Sequence, residues 1–167
     1  EKCINKNKTK TSENEEIEDV YYQDKFQLLK TKTKKSTNIR YVDAIKDCLH
    51  LKMERDSSVI IMGQDIAEYG GVFKISDGFL EEFGSERIRN TPICESAILS
   101  LALGLSISKY KSIIEMQFSD FVSSGFNPII NNLAKTHYRW GHSVNAIIRM
   151  PTGGGVNAGP FHSQNLE

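Results

Sequence analysis

The sequence predicts an α/β domain: a mostly parallel sheet flanked by helices, preceded by a flexible linker. Two patterns predict it. Short strand-like runs alternate with stretches of helical period, which is the order of a parallel sheet. Three of the runs (59–62, 112–116 and 145–150) are nearly continuous in apolar residues rather than alternating, as strands covered on both faces are.

Residues 1–38 read as a Lys-rich linker. Lys, Thr, Asn, Ser and Glu dominate, Gly and Pro are absent, and too few apolar residues are present to offset the entropy of ordering. A cluster of Val20, Tyr21, Tyr22, Phe26, Leu28 and Leu29 could form a short docking segment, with Lys30, Lys32, Lys34 and Lys35 as a solvated tether. From residue 39 to 167 the chain reads as one domain. Tyr41, Ala44, Ile45, Cys48, Leu49 and Met53 recur at helical spacing. Val59 to Met62 forms the first strand, ending at Gly63, and Gln64 to Gly71 a loop whose Gly70-Gly71 pair permits close backbone approach. A short helix over 75–83 stops at Gly84, and Arg87 to Asn90 is the second strand. Helix 95–109 follows, apolar on nearly every side and so expected to be sandwiched. Ser112 to Met116 is the third strand, 120–140 is mainly helical despite Pro128, and Asn145 to Met150 is the fourth strand.

In such a sheet, ligands sit beyond the carboxyl ends of the strands. The loops of interest are therefore 64–71, 91–95, 117–121 and 152–162. The second of these places one acid, Glu95, in the first turn of an apolar helix. An acid there can simply complement the helix dipole, worth about 0.3–1 kcal/mol. Yet Ile93, Cys94, Ala97, Ile98 and Leu99 supply no counter-charge. Full burial can raise a carboxyl pKa by up to about 3–5 units, so desolvation is expected to outweigh the dipole and leave Glu95 suited to acid–base work. Phe118 and Phe121 put two aromatics at a strand end, where such rings are either core or, for one of them, a platform for a flat heterocycle. His162 follows a glycine-rich stretch, Gly153-Gly154-Gly155 to Gly159-Pro160, that fits neither the P-loop nor the dinucleotide spacing. His137 and His142 lack the spacing of a helical metal pair, so no metal site is assigned.

Composition narrows the classes. Basic and acidic residues balance at 21 each in 167, which gives no field for nucleic acid or a membrane surface. No apolar run approaches the roughly 20 residues that cross a bilayer. Three scattered cysteines form no disulfide framework, which fits a reducing, cytoplasmic setting. The first residue is Glu rather than Met, as in a segment of a longer polypeptide.

Six ordered motifs carry a resemblance over about 39–167: MGQDIAEYGGVFK (62–74), FGSERIRNTPICES (83–96), EMQFSDF (115–121), HYRWG (137–141), RMPTGGG (149–155) and PFHSQ (160–164). Together they resemble the β chain of thiamine-diphosphate-dependent 2-oxo acid dehydrogenases, in its pyrimidine-binding domain. The Lys-rich start resembles the joint of versions in which α and β chains are fused. The resemblance implies that Glu95 hydrogen-bonds a pyrimidine nitrogen and promotes the imino tautomer that deprotonates the thiazolium carbon. It implies that Phe121 stacks on the pyrimidine, that Ile93 and Gln117 line its pocket, and that His162 serves substrate and the incoming lipoyl group. The diphosphate and Mg2+ would be held by an α-type chain or fused α domain, in a heterotetramer-like or dimeric assembly. The acyl group would pass to the lipoyl domain of a dihydrolipoyl acyltransferase. Residues 90–95 and 117–121 look closer to branched-chain than to pyruvate members. The family's pyrimidine domain continues past the position of Glu167, and a second domain follows it. Two other readings compete: a transketolase-like enzyme transferring ketol groups to sugars, and a non-catalytic subunit-docking module.

Overall fold

A computed structural model describes residues 10–20 and 36–166. The docking cluster from Tyr21 onward and the tether lysines lie outside the described residues. Within the stretch read as linker, α1 (Glu13–Val20) is an eight-residue helix. A reciprocal cap starts it: Ser12 N donates to Glu15 Oε2 (2.8 Å), and Glu15 N donates to Ser12 Oγ (3.3 Å). This serine-to-glutamate spacing satisfies two of the free N–H groups that a helix start leaves.

The remaining elements are α2 (Tyr41–Arg55), β1 (Val59–Gly63), α3 (Phe79–Phe83), β2 (Ile88–Asn90), α4 (Glu95–Ile107), β3 (Lys111–Glu115), α5 (Thr136–Trp140) and β4 (Ala146–Arg149). The four strands form one parallel sheet in the order β2-β1-β3-β4. Pleating divides β1 between two cores, as the side-chain period of two requires. Val59 and Ile61 join Met53 of α2, Phe79 of α3, Ile88 and Ile113 on one face. Ile60 and Met62 join Ile98, Leu99 and Ala102 of α4 with Ile114 and Met116 on the other. Arg87 locks the near end of this arrangement. Its guanidinium donates to the carbonyls of Met53 (2.8 Å), Asp56 (2.8 Å) and Val59 (3.0 Å), tying the end of α2 to the start of β1. A cation at a helix C-terminus satisfies carbonyls that have no partner in the helix. Farther along α2, His50 Nε2 pairs with Glu82 of α3 at 2.8 Å and joins those two helices.

Three details differ from the sequence expectation. The helix expected over 75–83 covers only its second part, because Gly78 adopts a left-handed conformation (φ 86°) that stops a helix from running through it. The long helix expected over 120–140 is broken into a 3-10 turn (Ser119–Gly125), a π-helical turn (Pro128–Leu133) and α5. Among the described residues, helix α4 is not sandwiched. It buries Ile98, Leu99, Ala102 and Ser106, while Leu101 (51%) and Ile107 (55%) stay exposed, since sheet and turns cover one side of it.

Candidate active site

The carboxyl edge of the sheet ends in one row of paired residues, Asn90–Gly63–Glu115–Arg149. Gly63 is required there. A Cβ would stand 2.4 Å from the Glu115 carbonyl oxygen, and backbone cannot retreat from such a contact. Glu115 is 3% exposed and accepts a hydrogen bond from Arg149 Nη1 at 2.8 Å. Burial pushes its pKa up to about 7, and the Arg149 charge opposes that rise without cancelling it.

Above this row, Glu95 opens α4 behind Cys94, which makes no side-chain cap. The Glu95 carboxyl is half-buried and receives one hydrogen bond on each oxygen. Gln64 Nε2, on a side chain 5% exposed, donates to Oε1 at 3.3 Å. Ser124 Oγ donates to Oε2 at 3.2 Å. Ser124 reaches Glu95 because Gly125 lets its turn lie against α4, where a Cβ would come within 2.3 Å of Leu99 Cδ1. The hydroxyl of Ser96 fixes the same turn by donating to the Ser124 carbonyl. Ser124 Oγ is also 2.9 Å from the Phe121 carbonyl oxygen. A hydroxyl has one hydrogen, so these two acceptors share one donor.

An aromatic cluster continues from Phe121. Phe118 sits edge-on to Phe121 (6.1 Å between centroids) and to Phe73 (6.3 Å). His162 is edge-on to both Phe118 (4.8 Å) and Phe121 (5.5 Å). Two residues beyond His162, the Gln164 backbone is clamped. Its N–H donates to Asp120 Oδ1 (3.1 Å), and its carbonyl accepts from Ser119 Oγ and Thr152 Oγ1, each at 2.9 Å. Among the described residues, His162 Nδ1 is buried without a hydrogen-bond partner, as is Asp120 Oδ2. That leaves Nε2 as the ring nitrogen through which His162 can meet a ligand.

The structure thus brings Glu95, Phe121 and His162 together, linked by Ser124 and Phe118. Gln117 approaches from the β1 side, where its Nε2 donates to Asp65 Oδ2 at 3.2 Å. Ile93 is 83% exposed, so among the described residues it lies open rather than lining a closed pocket. The apolar surround expected around Glu95 is open on that side: Cys94 and Ala97 are exposed too. Gln64, Ser124 and Glu115 escaped the sequence reading as site residues, whereas Phe118 stood there beside Phe121 as an alternative stacking ring. Glu115 had a signal, an acid closing an apolar strand run; Ser124 had none.

Residues 37–167 match the family described as the transketolase pyrimidine binding domain. Over 129 residues the chain is 43% identical to the 2-oxoisovalerate dehydrogenase subunit beta of Bacillus subtilis, covering 76% of this chain and 39% of that protein. Over 128 residues it is 40% identical to the pyruvate dehydrogenase E1 component subunit beta of Staphylococcus epidermidis, covering 75% and 39%. The chain therefore spans about two fifths of the length of these relatives. Among solved structures, a split gene transketolase described as an inactive beta4 tetramer superposes with a TM-score of 0.52 at 20% identity, over 72% of this chain and 36% of that one, which is a likeness of fold. With a family match over most of its length and a parallel sheet carrying Glu95 at its carboxyl edge, the chain belongs to the transketolase pyrimidine-binding domain family.

Proposed function

We propose that this domain is the pyrimidine-binding part of a β-type component of a thiamine-diphosphate-dependent 2-oxo acid dehydrogenase. One observation carries the reading: a half-buried carboxyl with neutral partners stands at the ligand end of a parallel sheet, beside an aromatic ring and a histidine. The donor set fits an aminopyrimidine. Such a ring needs a polar partner in its plane and an apolar face against it, and Glu95 and Phe121 offer one each. Thiamine diphosphate, when bound, supplies the carbon nucleophile that decarboxylates a 2-oxo acid.

The chain's own residues have separate roles. Glu95 holds or releases a proton at a carboxyl oxygen facing a pyrimidine nitrogen. Phe121 supplies the stacking face, and Gln117 and Ile93 border the ring. His162, with Nε2 alone available, delivers a proton during acyl transfer to a lipoyl domain. The exposed flank at Ile93, Cys94 and Ala97 suits a site completed by an α-type chain or fused α domain, to which the diphosphate and Mg2+ are assigned. Burial there would dry the site and strengthen the interactions inside it. Free, exposed thiols at Cys48 and Cys94 suit a cytoplasmic setting.

The favoured substrate is a branched-chain 2-oxo acid over pyruvate. The test is turnover by the complete assembly with an artificial electron acceptor, offered pyruvate, branched-chain 2-oxo acids and ketose phosphates. Turnover of a 2-oxo acid that requires both thiamine diphosphate and Mg2+ supports the proposal. Ketol transfer to a sugar instead would establish the transketolase-like reading, and failure to bind the cofactor would establish the docking module.

A further inference from the structure

We propose that Gln64 and Ser124 are positioning residues for Glu95: Gln64 fixes Oε1 permanently, whereas Ser124 is a two-way donor that covers Oε2 until a ligand arrives and turns to the Phe121 carbonyl when a ring nitrogen takes its place. This rests on the function proposed above.

Several structural facts converge on it. The Gln64 side chain is almost fully buried and projects from the end of β1, the sheet's innermost region, so its amide has little freedom to leave Glu95. The loop that follows is itself anchored: Ala67 N donates to Asn90 Oδ1 (2.8 Å), and Ser76 Oγ donates to the Ile66 carbonyl (2.6 Å). Ser124 differs in kind. Its backbone is immobilised by Gly125 packing on Leu99 and by the Ser96 hydroxyl, yet its side chain is exposed and has two acceptors within reach, Glu95 Oε2 at 3.2 Å and Phe121 O at 2.9 Å. A rotation about one bond moves the single O–H between them. Glu95 Oε2 is thereby satisfied before a ligand arrives and freed without leaving any donor unpaired, which avoids the cost of a stranded polar group. The carbonyl that receives the displaced hydrogen belongs to Phe121, the residue offered as the stacking face.

The electrostatic setting is neutral at first contact. Among the described residues, both hydrogen-bond partners of Glu95 are uncharged. The charged or titratable groups on the surrounding elements are engaged elsewhere: Asp65 with Gln117, Glu115 with Arg149, Asp120 with the Gln164 backbone, and His162 against Phe118 and Phe121. Lys111, at the far end of β3, pairs with Asp56, and Cys94 precedes Glu95 in the chain. A charge introduced at position 64 would therefore act on Glu95 directly.

The experiment uses the complete assembly with thiamine diphosphate and Mg2+, measuring the cofactor dissociation constant and the pH profile of turnover. Ser124→Ala removes the hydroxyl that competes for Oε2, so cofactor affinity should rise two- to fivefold, and Ser124→Thr, which keeps a hydroxyl, should return it to the wild-type value. Weaker or unchanged binding in the Ala variant would overturn the two-way donor. Gln64→Glu places a second carboxyl against Oε1, and two carboxyls that share a proton raise one apparent pKa. The acid limb of the pH profile should move up by a unit or more; an unmoved limb would overturn the role of Gln64. A wild-type assembly that binds no thiamine diphosphate would instead overturn the parent reading.

Discussion

Replacing Glu115 with Gln should change how stability depends on pH. The carboxyl is buried at the end of β3 beside Arg149, with a pKa raised from the ordinary 4.5 to about 7. Between those values the folded protein keeps the Glu115 proton while the unfolded chain releases it. The folded state thus binds more protons, and stability falls as pH rises. A shift of about 2.5 units at 1.36 kcal/mol per unit corresponds to about 3 kcal/mol. That contribution is fully present below about pH 4.5 and lost as pH rises through 7. Gln keeps the shape and an oxygen that can accept from Arg149 Nη1, but has no proton to lose. Denaturant unfolding at pH 5, 6, 7 and 8 checks this, with the midpoint and slope fitted at each pH. The wild type should lose about 2 to 3 kcal/mol more than the variant across that range, the rest of the contribution having gone below pH 5. Equal losses in both proteins would refute the argument, and a wild type that gained stability relative to the variant would show that the Arg149 charge outweighs burial.

Other substitutions test how the site is supported. Gly63→Ala sets a Cβ against the Glu115 carbonyl and should cost about 3 kcal/mol or more in thermal or denaturant unfolding, at the upper end of the usual overpacking range. Gly125→Ala collides with the buried side chain of Leu99 and should cost about 1–3 kcal/mol. It should also weaken cofactor binding by the complete assembly, because Ser124 and Phe121 ride on the displaced turn. Arg87→Ala removes the guanidinium from the carbonyls of Met53, Asp56 and Val59 and should destabilise by about 2–3 kcal/mol, as charged hydrogen bonds of this kind do, without altering cofactor affinity.

The fold was legible where physics is local and repetitive. The short apolar runs at 59–62 and 112–116 read as strands buried on both faces, and β1 and β3 are the centre of the sheet. What escaped was set by contacts between distant residues. Nothing in the stretch 120–140 announces that Gly125 must press on Leu99, or that the helix expected there divides into a 3-10 turn, a π-helical turn and α5. Glu95 stood out because an acid in an apolar first turn is unusual. Gln64 and Ser124 did not, because ordinary polar residues become site residues only when the chain folds them onto a common partner. The openness of α4 and of the Ile93 flank was hidden for the reverse reason. An apolar helix reads as sandwiched whether its cover comes from its own chain or from another.

The central claim is that Glu95 serves chemistry at the cofactor rather than merely ending a helix. The most direct measurement compares wild type with Glu95→Gln in the complete assembly, recording thiamine diphosphate affinity and 2-oxo acid turnover in parallel. Gln retains a polar group of the same shape but cannot take up or release a proton. The account predicts that the variant still binds the cofactor, within about tenfold, while turnover falls at least 100-fold, the scale on which acid–base groups contribute. Full turnover in the variant would contradict it and reduce Glu95 to a helix-end charge.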